Sequence, residues 1–265
     1  MTATKQKLAP HKAVLRSLVD LALRLQGTKL PTYFHLRDRL SYLFHGLEPS
    51  VIRVAQTILR PGDTVVDIGA NVGFLTREFA ALVGRQGRVF AFEPDPATFD
   101  CLAFNVHKLP QVRLSKTAIA DRAGTMTLHL HPTSGMSNSL VNAWDNASAL
   151  EVETSTLDDW ISRAVSGPVR MVKIDVEGAE AHVLRGMERT LEAANPPQII
   201  MEFCPKNLGG ARTEEEIFQL MGRHGYRLAV IGPAGGLHRV STPDEIRAYL
   251  NENDYANLLG WHDPD

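Results

Sequence analysis

Residues 64–93 restrict the possible folds of this chain more than any other stretch. An apolar run, TVVDIG at 64–69, ends on a glycine, an amphipathic segment continues from about 73 to 83, and a second apolar run, RVFAFE, occupies 88–93. Strand, helix and strand within about thirty residues make a βαβ unit, whose crossover forces the two strands to lie parallel. The strands are apolar on consecutive residues, so both faces of their sheet are covered. The result is an open α/β sheet, in which ligands bind beyond the carboxyl ends of the strands.

The alternation continues down the chain. A helix is predicted from about 96 to 107 and a strand from 112 to 119. MTLHL at 126–130 alternates, as an antiparallel edge addition does. Residues 131–148 are rich in turn formers and read as a long loop of the kind that carries function. Thr156 and Asp159 form a capping box for a helix over 157–165, and Thr213 with Glu216 forms another, for a helix holding Ile217, Leu220 and Met221. Strands are predicted at 169–175, 198–203 and 226–231, and a final helix begins at Thr242-Pro243-Asp244-Glu245.

The 265 residues, 44% hydrophobic and 22% charged, suit one elaborated domain with a full core. A formal charge of −2 lacks the electrostatic footprint of a chain that grips nucleic-acid phosphates. Cys101 and Cys204 have no CxxC or Cys/His partner, so no disulfide framework or zinc cage is expected, and the compartment is read as reducing. The stretch 13–27 is broken by Arg16, Asp20 and Arg24, which makes it an amphipathic helix rather than a signal peptide or membrane span. The expectation is a cytoplasmic protein with no nucleic-acid or membrane partner. Residues 1–60 read as helical, through Val14, Leu15, Leu18, Leu21, Ala22 and Leu25 and then Val51, Ile52, Ala55, Ile58 and Leu59. They are expected to form a cap that contacts substrate or a second copy in a homodimer, with residues 61–265 as the cofactor-binding domain.

Three motifs carry chemistry. Asp67, Gly69, Asn71 and Gly73 spell D-x-G-x-N-x-G at the junction of the first strand and its helix. A dinucleotide fingerprint would have glycine where Asn71 stands, and a pyrophosphate avoids a neighbouring carboxylate. An amino-acid ligand instead offers an ammonium to Asp67 and a carboxylate to backbone N–H groups, which fits the methionine end of S-adenosylmethionine. The alternative is that Asp67 only caps the helix and the glycines only turn the chain. Glu93, closing the second strand, stands where a carboxylate accepts both ribose hydroxyls of an adenosine, or else caps the next helix. Lys173, Asp175, Glu177 and Glu180 concentrate charge at the end of a strand that is otherwise apolar.

Taken in order, VVDIGANVGFLT, FAFEPDP, SNSL, TSTLDDW, KIDVEGAEAHVLRGM and PPQIIMEF resemble the FkbM-type methyltransferases over residues 61–203, with a weaker echo at 254–259. The resemblance implies a class I, Rossmann-like, S-adenosylmethionine-dependent fold, here a seven-stranded, mostly parallel sheet with an N-terminal helical cap. It also implies O-methylation of a sugar or other hydroxylated natural product. It puts Asp67, Gly69, Asn71 and Gly73 around the methionine end, Glu93 at the ribose, Ser139 and Leu140 in the loop motif, and Asp175 and Glu177 beside the transferred methyl. Asn138 stands where the family's loop often has a second serine.

The proton acceptor for such a reaction is left among Asp175, Glu177, His182 and Glu202. His182 lies one turn into the helix after the DVEG motif. Glu202, closing its strand beside Asp175, completes either a general-base pair or a divalent-cation site. His129 and His131 share a strand face without a third ligand nearby in sequence, and read as an edge strand. Cys204 reads as an inert thiol. The competing readings are N-methylation of a small amine, an NAD-dependent nucleotide-sugar oxidoreductase, which the missing glycine and absent Tyr-x-x-x-Lys disfavour, and an inactive binding subunit.

Overall fold

The computed structural model describes residues 10–44, 47–131, 138–141 and 148–263. Three helices come first, α1 (Pro10–Leu25), α2 (Leu36–Leu43) and α3 (Pro49–Ile58). The βαβ unit follows as β1 (Thr64–Ile68), α4 (Phe74–Val83) and β2 (Arg88–Phe92), then α5 (Pro96–Val106) and β3 (Val112–Ser115). The chain leaves the main sheet through β4 (Ala118–Ile119), β5 (Gly124–Leu130) and β6 (Ser148–Ser155) and returns by α6 (Leu157–Ala164) to β7 (Met171–Ile174). After α7 (Glu180–Arg185) and α8 (Glu188–Leu191) come β8 (Gln198–Phe203), α9 (Ala211–Arg223), β9 (Arg227–Ile231), β10 (Leu237–Val240), α10 (Pro243–Ile246) and β11 (Ala256–Trp261).

The main sheet has eight strands in the order β10-β9-β11-β8-β7-β1-β2-β3. Strands β3, β2, β1, β7 and β8 run parallel, while β11 is antiparallel to both β8 and β9, and β10 to β9. From β1 the chain winds outward to β3, then jumps back to β7 on the other side of β1. This reversal opens a crevice between the carboxyl ends of β1 and β7.

Side-chain alternation along the parallel strands feeds two cores. Val66, Ile68, Val172, Ile174, Ile199 and Met201 pack under α7 and α9, with Trp160 of α6 edge-on to Phe90 and Phe92 at 4.9 and 4.7 Å. Val65, Met171 and Ile200 face the other way, onto Ile58 of α3, Phe79 of α4 and Leu102 of α5. A third cluster, built on Val19, Leu23, Phe34 and Tyr42, joins α1 and α2 to Val72 and Cys101. No helix among the described residues is long and apolar enough to cross a membrane.

The sheet has one strand more than the seven expected, because β10 adds a hairpin edge. The segment after α10 is also a strand: β11 fills the gap between β8 and β9. Its sequence, ANLLGW, has no β-branched residue, so its strand state comes from the two neighbours it pairs with rather than from propensity. MTLHL pairs with β6 in a separate three-stranded sheet instead of edging the main one. The predicted strand over 112–119 breaks at a Ser115–Thr117 side-chain turn into β3 and β4. Thr156 caps α6 by accepting from the Asp159 N–H at 3.1 Å, whereas α9 begins after Gly210, so Thr213 lies inside its first turn. In α1 it is Val19 and Leu23 that turn inward, and Val14, Leu15, Leu18, Leu21 and Leu25 face outward.

Candidate active site

A cavity of about 620 Å³ occupies the crevice, within the range of small-molecule sites. Its floor is made by the ends of β1, β7 and β8. One wall comes from α2 and the turn before α3, through Ser41, Tyr42, Leu47 and Glu48, and the other from Ala118, Ile119, Leu128 and Leu140.

The turn after β1 is shaped by close approach. Gly69 has φ +80°, and a Cβ there would lie 1.8 Å from the carbonyl oxygen of Asp175. Asn71 is left-handed at φ 51° and closes the turn by accepting the Val72 N–H on Oδ1 at 2.8 Å. Gly73, φ +87°, admits Leu102 of α5, which a Cβ would meet at 2.6 Å, and it does not line the cavity. Asp67 is buried beneath the turn, where Thr76 of α4 donates to its Oδ2 at 2.6 Å, and burial pushes its carboxyl up to about 6. Capping of α4 therefore falls to Gly73, not Asp67.

Glu93 ties this turn to the next one. Its Oε2 accepts the Asn71 N–H at 3.0 Å and its Oε1 the Asp95 N–H at 2.9 Å. Burial still pushes its carboxyl up to about 8. The capping of α5 is done by Asp95, which accepts from the Ala97 N–H, leaving Glu93 facing the cavity. The N–H groups of Gly69, Ala70, Asn71, Val72 and Gly73 are all engaged within the fold, by Phe92, Glu93, Asn71 and Ala70. Beyond the turn, Phe74 and Leu75 of the first turn of α4 also line the cavity.

Register explains the third group. Ile174 of β7 pairs with Met201 of β8, so Asp175 and Glu202, the next residue of each strand, stand side by side on one face. Lys173, fully buried, donates from Nζ to Asp175 Oδ2 at 3.0 Å. Burial works against its charge, but Asp175, Glu48 and Glu202 together outweigh that and keep it protonated. Glu202 is 8% exposed, and burial, with Asp175 and Glu177 nearby, pushes its carboxyl well above the usual range. Glu48 enters from the turn before α3 on a left-handed backbone, φ 48°, and burial pushes it to about 7. Carboxylate oxygens of Glu48, Asp175 and Glu202 lie within 4.8 Å of one another. Glu177, φ 53°, takes a 2.6 Å hydrogen bond from Asn207 Nδ2.

Of the residues singled out in the sequence, Asp67, Gly69, Asn71, Glu93, Asp175, Glu177 and Glu202 line this one cavity. His182 does not. Its Nδ1 lies 2.8 Å from Asp121 Oδ2 in the β4–β5 turn, with Arg185 on the same carboxylate, because α7 begins at Glu180 and turns His182 away from the crevice. Ser139 is also turned away: buried, it accepts the Val141 N–H on Oγ and bridges His129 through the backbone, and its neighbours Asn138 and Leu140 face the cavity. Cys204 borders the cavity as a buried thiol whose pKa burial raises. Glu48 and Tyr42 are cavity residues that no sequence motif marks, and Tyr255, also on the cavity, falls in the weaker echo at 254–259. Glu48-Pro49 signals a helix start, but nothing local says that its carboxylate crosses to β7.

A model of the methyltransferase FkbM domain matches residues 67–228, which contain the carboxyl end of β1, all of β7 and β8 and most of the cavity floor. The chain belongs to the FkbM methyltransferase family. It is an S-adenosylmethionine-dependent methyltransferase. Similar proteins include 2-O-methyltransferase NoeI of Sinorhizobium fredii, 30% identical over 59% of this chain and 72% of that protein. Hexuronic acid methyltransferase AglP of Haloferax volcanii is 28% identical over 56% of this chain and 59% of its own length. The 31-O-demethyl-FK506 methyltransferase FkbM of Streptomyces tacrolimicus is 30% identical over 56% of this chain and 64% of its own. This FkbM-family chain thus spans less than two thirds of the latter two relatives. The residues present are compatible with that cofactor: Asp67 and Glu93 are buried carboxylates on the same cavity, and Glu93 is tied to the turn between them through the Asn71 N–H.

Proposed function

We propose that this FkbM-family enzyme methylates a hydroxyl group of a sugar or similarly hydroxylated small molecule. The observation that carries the reading is the Glu48–Asp175–Glu202 group around Lys173, on the cavity floor beside the cofactor turn. An amine with a free lone pair needs alignment only, whereas an alcohol is a poor nucleophile until its proton leaves, so a concentration of carboxyl groups on the cavity floor favours oxygen over nitrogen. The names of two relatives specify O-methylation and that of a third a hexuronic acid, which supports the same class of acceptor.

In this reading Asp67 and the first turn of α4 hold the two charged ends of the amino-acid moiety, and Glu93 holds the ribose. When bound, the cofactor supplies a sulfonium methyl that is displaced in line. Lys173 fixes Asp175 against the acceptor hydroxyl, and the carboxylate group receives the proton. Residues 1–60 act as a cap: Ser41, Tyr42 and Leu47 wall the cavity opposite the small sheet and help select the acceptor. Cys101 and Cys204 are buried and unpaired, which suits the reducing cytoplasm where we place the reaction.

The test is a panel of sugars, uronic acids, hydroxylated macrocycles and matched amines, with S-adenosylhomocysteine release as the readout. Turnover with hydroxyl acceptors is expected. Release with the amines alone would replace the reading by N-methylation.

A further inference from the structure

We infer that Glu48, Asp175 and Glu202 form a binding site for one hard divalent cation, Mg²⁺ or Mn²⁺, on the floor of the cavity, with Glu48 of the N-terminal segment as the third protein ligand. One oxygen from each carboxylate lies within 4.8 Å of the others. Ligand oxygens about 2.1 Å from a central ion stand roughly 3 to 4 Å apart, so a small closure of this group reaches that geometry.

Clustered carboxylates alone would say little, since many are merely solvated, and Glu48 and Asp175 are part-buried while Glu202 is buried. Glu202 is 8% exposed and accepts no hydrogen bond from any described residue. Oε2 of Glu48 is buried and likewise has no hydrogen-bond partner. Buried carboxylate oxygens in folded proteins almost always have partners, so the unpartnered Oε2 of Glu48, beside a buried Glu202 side chain that takes no hydrogen bond from a described residue, marks a place built for something else.

Charge gives the valence. Three carboxylates face one ammonium, that of Lys173, which is already committed to Asp175 Oδ2. With all three ionised, as in the cation-bound form, two negative charges remain, which a divalent cation cancels and a second monovalent side chain would not. Lys173 leaves the other oxygen of Asp175 to ligate. An all-oxygen donor set selects Mg²⁺ or Mn²⁺ over zinc or copper. Cavity space above the group leaves the remaining positions to water and to an acceptor hydroxyl, whose proton a bound cation loosens. That last step rests on the methyl-transfer reading, whereas cation binding does not.

The experiment uses the full chain, stripped with a chelator and dialysed, without acceptor. Mn²⁺ binding is followed by electron paramagnetic resonance and calorimetry, with Mg²⁺ as competitor and S-adenosylhomocysteine binding as an independent check of the fold. One equivalent of Mn²⁺ should bind, displaceable by Mg²⁺, and raise the melting temperature by a few degrees. Glu48→Gln and Glu202→Gln should each weaken Mn²⁺ by about tenfold or more while S-adenosylhomocysteine still binds. Absence of stoichiometric Mn²⁺ binding at millimolar concentration, or binding that neither substitution weakens, would overturn the site. Failure of the unsubstituted protein to bind S-adenosylhomocysteine would count against the methyl-transfer reading and leave the cation result standing.

Discussion

Gly69→Ala would place a methyl carbon 1.8 Å from the carbonyl oxygen of Asp175, far inside van der Waals contact. The obstacle is main chain, the exit of β7, which is tied to β1 by the Asp175 N–H donating to the Ile68 carbonyl at 3.0 Å. Three effects add. A non-glycine residue at φ +80° is disfavoured by about 1–2 kcal/mol. Relieving the overlap by parting the two strand ends costs about 1–3 kcal/mol. The opened hydrogen bond adds about 1 kcal/mol. A total of about 3–6 kcal/mol lowers the melting temperature on the order of 10 °C in a domain of this size. Gly27→Ala is the reference, because Gly27 has φ +72° with nothing within 4 Å of a Cβ and should show the backbone term alone. Differential scanning calorimetry of both variants, with S-adenosylhomocysteine titration, measures the difference. Because Asp175 and the Asn71 turn shift together, Gly69→Ala should also lose ligand binding. If it melts within a degree or two of Gly27→Ala and binds the ligand normally, closure of β1 on β7 is not what places the site.

Glu93→Ala should weaken S-adenosylhomocysteine by about tenfold or more, since two hydrogen bonds to the ribose, each worth about 0.5–1.5 kcal/mol, are lost, and an unchanged dissociation constant would restrict Glu93 to tying the two turns. The same group sets a pH dependence. Its carboxyl, pushed by burial from an ordinary 4.5 to about 8, holds a proton in the folded state that the unfolded chain has lost, so apo-protein stability falls as pH rises through that window. The upper bound is about 5 kcal/mol, and thermal melts from pH 5.5 to 8.5 should show the wild type losing ground to Glu93→Gln. Asp175→Asn should keep ligand affinity and lose about a hundredfold or more in turnover with acceptor saturating, and near-normal turnover would move the hydroxyl contact to Glu177. His182→Ala should leave turnover within about twofold, because His182 pairs with Asp121 outside the cavity, and a large loss in kcat would contradict that placement.

The β1–α4–β2 unit and the D-x-G-x-N-x-G turn were legible because their determinants are local: consecutive apolar residues, a glycine where φ must be positive, a carboxylate at a strand end. The approach of Asp175 to Glu202 was nearly so, since two apolar strands joined by a helical crossover tend to be neighbours, and here they share register at Ile174 and Met201. Other features had no local signal. ANLLGW becomes a strand only because β8 and β9 leave a gap that its backbone groups must fill. His182 and Ser139 sit in motifs beside the cavity yet face away from it, a matter of helix phase and loop packing that motif spacing does not encode. Glu48 is the clearest case. In sequence it is a glutamate before a proline, and its meaning as the third carboxylate over β7 and β8 arises only when α3 packs on the sheet through Val54, Ala55 and Ile58. Local pattern sets which segments are strands and where a strand-end carboxylate stands, but which carboxylates meet depends on packing between segments far apart in the chain, and that is a property of the whole fold.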